Sequence, residues 1–121
     1  MATKVRAHLD EDRQIITQWL DGPVSVEEFE ELIGMTAECV GRLRNPDDVR
    51  ILVDGRQMGK SDPKVRKMGM RVFADKGINK LAVWGAGALV RTTFRFATIP
   101  LGRRNIRMFR TRDEAVEWLL Q

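Results

Sequence analysis

Apolar and polar residues alternate strictly near the start of the chain, and this pattern predicts a β-strand over residues 4–9. The lone histidine, His8, falls on the face of that strand that we expect to meet solvent. A polar segment then leads into a second predicted strand, residues 14–20, which is rich in β-branched and aromatic residues. We expect the two strands to pair as an antiparallel hairpin.

Helical spacing replaces this alternation from Ser25 onward. Ser25 is followed three residues later by Glu28, which is the signature of a capping box at a helix start. Apolar residues then recur at intervals of three and four as far as Leu43. The pair Asn45-Pro46 ends the pattern, because a residue before proline avoids the helical conformation. The sequence therefore predicts a helix from Ser25 to about Leu43.

The remaining two thirds of the chain repeat one unit, a short apolar strand followed by a helical pattern. The helix starts are marked by Asp62-Pro63, which suits a cap and a first turn, and by Thr111 with Glu114, a second capping box. Further predicted strands lie at 51–53, 80–84 and 106–109, and the helices that follow them at 62–77, at 88–98 and from 111.

The predicted element order is ββαβαβαβα within one domain, residues 1–121. Strands that alternate with helices favour an α/β fold with right-handed crossovers. We therefore expect a mostly parallel five-stranded sheet with four helices and one antiparallel hairpin.

Composition narrows the class of protein. Hydrophobic residues make up 43% of the 121 residues and charged residues 31%, which is typical of a globular domain. No apolar run approaches the roughly 18 residues that a membrane span needs, and the N-terminus lacks a signal-peptide core, so we expect a cytoplasmic protein. The net charge of +4 keeps anionic partners under consideration.

Residues for catalysis or metal binding are not grouped along the sequence. His8 is predicted to face solvent, and the single cysteine, Cys39, falls among apolar helical residues. Neither is placed to form a nucleophile–base pair, and no His or Cys cluster has the spacing of a metal site. We therefore expect no enzymatic activity, no metal and no cofactor.

The turn Gly85-Ala86-Gly87 follows an apolar strand, as a nucleotide-binding turn would. Val90 stands where that fingerprint needs a small residue, which favours a plain tight turn instead. The alternative is an anion-binding surface formed by the turn amides together with Arg91, Arg103 and Arg104. The arginines alternate with buried positions and have no aromatic platform beside them, so nucleic acid is disfavoured as a partner.

The tryptophans and phenylalanines fall at positions that core packing explains first. The alternative is an adaptable apolar pocket, since methionine side chains adjust to varied ligands. That hypothesis assigns its lining to Met58, Met68, Trp84 and Phe94.

The last third of the chain resembles the SpoIIAA-like family, and the element order fits this family over essentially the whole length. The resemblance is carried by Ile78–Val83, Val90-Arg91, Arg107-Met108-Phe109 and Asp113–Leu119. It implies a bacterial protein with the fold of anti-sigma factor antagonists and sulfate-transporter domains, more distantly related to CRAL-TRIO lipid carriers. We expect a non-catalytic protein-interaction or regulatory module. Its partner is unknown, and a second copy of the chain, forming a homodimer, is one candidate. The alternative is a carrier or sensor of a small lipophilic ligand.

In antagonists of this fold, a regulatory phosphoserine lies in the loop after a central strand, at a helix start. The resemblance places Ser61, beside Asp62, at roughly this point, although the family's Asp-Ser-Ser-Gly stretch is absent here. The alternative is that Ser61 and Asp62 simply cap the helix, where the charge of Asp62 would oppose a phosphate.

Overall fold

The computed structural model describes residues 4–59, 62–75, 77–92 and 105–121. In these ranges, five strands form one sheet, and they lie side by side in the same order as they occur along the chain. The strands are β1 (Val5–Asp10), β2 (Ile15–Leu20), β3 (Val49–Asp54), β4 (Ile78–Trp84) and β5 (Ile106–Phe109). The helices are α1 (Val26–Gly41), α2 (Pro63–Asp75), α3 (helical residues 88–92) and α4 (Arg112–Leu119). The predicted α/β fold and its order ββαβαβαβα are confirmed.

The first two strands form the predicted antiparallel hairpin, in register from Val5 opposite Leu20 to Asp10 opposite Ile15. The Asp10 carboxylate organises the turn, because it accepts hydrogen bonds from the backbone N–H groups of Arg13 and Asp12, at 3.2 and 3.1 Å. These bonds, the one from Arg13 foremost, hold the pKa of Asp10 below its usual value.

The other strand pairs, from β2 to β5, are parallel. Right-handed crossovers that advance in one direction across a sheet place their helices on the same face. Residues of α1, α2 and α3 accordingly line one space above the sheet, whereas α4 packs against β3, β4 and β5 from the opposite face. We call these the crossover face and the α4 face.

The core has one layer on each face of the sheet. On the crossover face, Ile51 and Val53 of β3 belong to a cluster that includes Leu32 and Cys39 of α1. On the α4 face, Leu52 packs in a second cluster with Ile15, Ala82, Ala115, Val116 and Leu119. Strand β3 is apolar throughout its centre because helices cover both of its faces.

The helix starts follow the sequence signals with one difference. Ser25 and Glu28 form both bonds of the capping box, at 2.8 and 3.1 Å. At α4 the Thr111 hydroxyl accepts from the Glu114 N–H as predicted, but the Glu114 carboxylate accepts from the hydroxyl instead of the Thr111 backbone. Helix α1 ends at Gly41, two residues before the predicted Leu43.

Candidate apolar ligand site

A cavity of about 360 Å³ lies between the crossover face of the sheet and helices α1, α2 and α3. Its floor includes Ile51, Val53 and Val83, and its walls include Phe29 of α1 and Met70 of α2. The volume falls within the range of roughly 300–1,000 Å³ that is typical of small-molecule sites. Nearly all of the lining is apolar, so the cavity suits a hydrocarbon ligand.

Small side chains leave this space open. The floor includes the valines Val49, Val53 and Val83, and Gly69 of α2 lines the cavity beside Phe29. A Cβ atom at position 69 would lie 3.4 Å from the Phe29 ring, so a larger side chain there would project into the space beside that ring. Leu89 of α3 also lines the cavity, although 68% of it is exposed to solvent.

The loops after β2 and β3 close one end of the cavity. Gly59 packs directly onto Pro23, since a Cβ atom at position 59 would lie only 2.7 Å from the proline ring. Only glycine allows this approach, which brings Met58 into the lining. The carboxyl ends of parallel strands are the edge at which open α/β sheets commonly bind ligands.

Among the described lining residues, three have polar side chains, and two of these are hydrogen-bonded to each other. The Gln18 amide donates to the Thr36 hydroxyl at 2.9 Å, and that hydroxyl donates to the Leu32 carbonyl at 2.7 Å. The third is Arg66 of α2, which is half-buried. In the part of the chain that the structure describes, the Arg66 side chain forms no ion pair and no hydrogen bond. Among the described lining residues, Arg66 therefore carries a positive charge without an acidic partner.

The four residues that the sequence assigned to an apolar pocket are not all in this cavity. Met58 lines it, Met68 does not, and Phe94 lies outside the described residues. Trp84 lies on the α4 face, where it packs beside Phe109 and Trp118. Strand alternation is the reason, because Val83 takes the cavity side and its neighbour must point away.

On the α4 face, Trp84 takes part in a charged arrangement. The Arg56 guanidinium lies over the indole of Trp84 and donates to both carboxylate oxygens of Asp54, at 3.1 and 2.8 Å. Burial raises the pKa of Asp54, but the hydrogen bonds and positive charge of Arg56 lower it more, so the pKa lies below its usual value. Asp54 is thus a buried carboxylate held in its charged form.

The residues proposed for anion binding lie near the end of β4, as far as they are described. Gly85 adopts φ +74°, which makes the predicted tight turn, and its N–H donates to the Phe109 carbonyl at 3.0 Å. This amide therefore already has a hydrogen-bond partner within the protein. Gly87 and Arg91 are exposed at the start of α3, and Arg103 and Arg104 lie outside the described residues.

The other candidate residues are placed separately. Asp62 caps α2, since its carboxylate accepts from the Lys64 N–H at 2.8 Å, while Ser61 lies outside the described residues. Cys39 is buried, and this burial raises the pKa of its thiol. His8 is exposed on the α4 face. Within the described ranges, no three His, Cys, Asp or Glu side chains could hold a metal ion.

Sequence reasoning missed Arg66 and Gln18 as cavity residues. Arg66 follows the buried Val65 and precedes Gly69 by three residues, so helical spacing alone places it beside the inward stripe. Arg66 is charged and lies between the exposed Lys64 and Lys67, so the sequence pattern did not identify it as a cavity residue.

Among the described residues, no helix is both long and apolar enough to cross a bilayer.

Comparison with known proteins agrees with this architecture. A solved structure of an uncharacterised protein of the DUF3478 family from Shewanella loihica PV-4, described as having a SpoIIAA-like fold, superposes with a TM-score of 0.71. The match covers 98% of this chain and 96% of that one at 13% sequence identity, which establishes likeness of fold alone. Among curated proteins, none matches the sequence significantly. The family model described as SpoIIAA-like matches residues 15–120. The chain therefore belongs to the SpoIIAA-like family.

Proposed function

We propose that this chain is a non-catalytic binding domain whose cavity takes up a small lipophilic molecule. The observation that carries the proposal is the apolar cavity of about 360 Å³ between the sheet and helices α1 to α3. Each methylene group that leaves water for such a site contributes about 0.8 kcal/mol. A hydrocarbon chain that occupies the cavity would therefore bind without any directed polar contact.

The described polar side chains of the lining support this proposal because two of the three already form hydrogen bonds within the protein. Gln18 and Thr36 are already hydrogen-bonded to each other. An apolar ligand beside them leaves this hydrogen bond intact, whereas a buried group that lost its partner would cost about 1–3 kcal/mol.

A pair of glycine substitutions tests the proposal. Gly69→Leu places a side chain in the cavity, whereas Gly34→Leu places the same side chain on the exposed surface of α1, where a Cβ atom meets nothing within 4 Å. Both substitutions gain up to about 1 kcal/mol of helix propensity, so they are matched in that respect.

The measurement is the fluorescence of the neutral probe N-phenyl-1-naphthylamine on titration with each protein. We expect the wild type and Gly34→Leu to bind the probe equally and Gly69→Leu to bind it at least tenfold more weakly, with circular dichroism confirming that all three are folded. Equal binding by Gly69→Leu, or no binding by the wild type, would refute the proposal.

A role in protein contact is the second candidate, with a second copy of this chain as the partner. Helix α4 packs over β3 to β5, and the α4 face of β1 and β2 carries Arg6 and Trp19, with Arg6 Cζ 4.9 Å from the ring centroid. Tryptophan and arginine are the residue types that contribute most to protein interfaces.

Sedimentation velocity over a range of concentrations tests this second candidate. We expect a concentration-dependent dimer that Trp19→Ala weakens at least tenfold, and that Arg71→Ala, on the exposed surface of α2, leaves unchanged. A monomer at every concentration would argue against it.

A further inference from the structure

Helix α2 places one cation in the cavity wall. Its lining residues are Val65, Arg66, Gly69, Met70 and Val72, which form a stripe at helical spacing. The neighbouring cations of the helix, Lys64, Lys67 and Arg71, are exposed and do not line the cavity. Arg66 is thus the single charged residue among those that line the cavity in the described part of the chain.

This charge has no protein partner in the described residues. The nearest acidic residue in sequence, Asp62, stands four positions earlier, but its carboxylate accepts from the Lys64 N–H and forms no ion pair with Arg66. A guanidinium presents a planar fork of donors that matches a carboxylate or a phosphate. Where such a fork borders an apolar space, its complement is a molecule with one anionic end and one apolar body.

We propose that the cavity selects a single-chain amphiphile with an anionic head, the hydrocarbon chain lying on the floor of Ile51, Val53 and Val83 and the head pairing with Arg66. This inference rests on the proposed function and names the class of ligand. The volume of about 360 Å³ lies near the lower end of the usual range of roughly 300–1,000 Å³, which suits one chain better than two.

Isothermal titration of the full chain with four twelve-carbon probes tests the inference. The probes are dodecanoate, dodecyl phosphate, dodecanol and dodecyltrimethylammonium, with dodecanol kept below its solubility limit and the others below their micelle concentrations. We expect the two anions to bind at least tenfold more tightly than the alcohol, as a charge-assisted pair requires, and the cation to bind most weakly. The ratio of the affinities for dodecanoate and dodecyl phosphate identifies which anionic head fits the site better. Extending dodecanoate by one methylene should tighten binding about fourfold.

Substitutions at Arg66 test whether this residue causes the preference for anionic probes. Arg66→Met removes the charge and keeps an apolar stem, so the variant should bind dodecanoate and dodecanol equally, with its affinity for the alcohol unchanged. Arg66→Lys keeps the charge without the fork and should retain part of the preference. Arg71→Met is the matched control and should behave as the wild type, since Arg71 is exposed outside the cavity.

The outcomes separate this inference from the proposed function. Equal wild-type affinity for dodecanoate and dodecanol, or a preference for dodecanoate that survives in Arg66→Met, would overturn the inference while leaving the cavity as a lipophilic site. If the wild type binds neither probe, the proposed function fails and the inference fails with it.

Discussion

Arg56 lies over the ring of Trp84, with the guanidinium carbon 4.5 Å from the ring centroid. Its guanidinium also donates to both oxygens of Asp54, whose side chain is only 9% exposed. Asp54 pairs in register with Trp19 on one side and Trp84 on the other. Arg56 therefore neutralises a carboxylate that lies between two indoles on the α4 face of the sheet.

The first prediction concerns the response of Arg56→Met to acid. A carboxylate whose pKa is depressed in the folded state stabilises it above the unfolded-state value of about 3.9 and loses this contribution as the pH falls through the folded-state value. Without the Arg56 side chain, burial raises the pKa of Asp54 and only the hydrogen bond from the backbone N–H of residue 56 still lowers it. The variant should be less stable than the wild type at neutral pH, and the difference should shrink below about pH 4.

Urea unfolding at pH 7, 5 and 3 measures this difference. Arg71→Met is the control, because it removes the same charge from an exposed site with no ion pair in the described structure. A loss of stability in Arg56→Met that is the same at all three pH values would show that Asp54 is not the titrating group.

The second prediction concerns Gly85, which lets the Arg56 side chain pass across the turn. Its φ of +74° costs an L-residue about 1–2 kcal/mol, and a Cβ atom would lie 2.7 Å from Arg56 Cγ. We expect Gly85→Ala to lower the free energy of unfolding by at least this amount. Gly87→Ala, two residues later, meets nothing within 4 Å and should change stability little. Equal effects in thermal unfolding would contradict this account.

The third prediction is a coupling between Gln18 and Thr36 in the cavity wall. Thr36→Val leaves the half-buried Gln18 amide without its partner, which should cost about 1 kcal/mol. Gln18→Met should cost less, because the Thr36 hydroxyl keeps its bond to the Leu32 carbonyl. A double-mutant cycle in urea should show the double variant to be close to Gln18→Met alone. Strictly additive effects would mean that the bond contributes nothing.

The fourth prediction concerns how α4 is fixed to the sheet. Lys80 Nζ donates to the carbonyls of Trp118 and Gln121, at 3.0 and 2.9 Å, where a cation complements the helix dipole. Lys80→Met should cost about 1–2 kcal/mol and speed amide exchange at the end of α4. Lys64→Met, an exposed substitution on α2, is the control. Unchanged exchange in Lys80→Met would show that Lys80 does not fix α4, and would leave its apolar contacts and the hydrogen bond from Arg50 to the Leu119 carbonyl.

Sequence patterns predicted the order of elements because each signal is local. The alternation in β1, the capping box at Ser25 and the Asp62-Pro63 start all depend on residues within a few positions of each other, and each lies where it was expected. Boundaries were less accurate where tertiary contacts decide them. Strand β3 extends beyond the predicted 51–53, because Val49 and Asp54 also pair with neighbouring strands.

The cavity could not be predicted in the same way, because both faces of β4 are apolar. Leu81 and Val83 face the cavity, while Ala82 and Trp84 face α4. The alternation of side chains along the strand separates the two sets, but it does not determine which set faces the crossover helices. The assignment of Trp84 to a pocket therefore depended on information that only the packing of α4 provides. Arg66 illustrates the same limit, since its charge is typical of a solvent-exposed residue.

The strand order of the sheet, which follows the chain from β1 to β5, also bears on how the domain is synthesised. Each strand pairs with the one that left the ribosome just before it, so no strand must wait for a distant partner. Contacts that are close in sequence favour rapid folding, and chains begin to fold from the N-terminus during translation. The sheet can therefore grow by one strand at a time on the nascent chain, with the β1–β2 hairpin as its template.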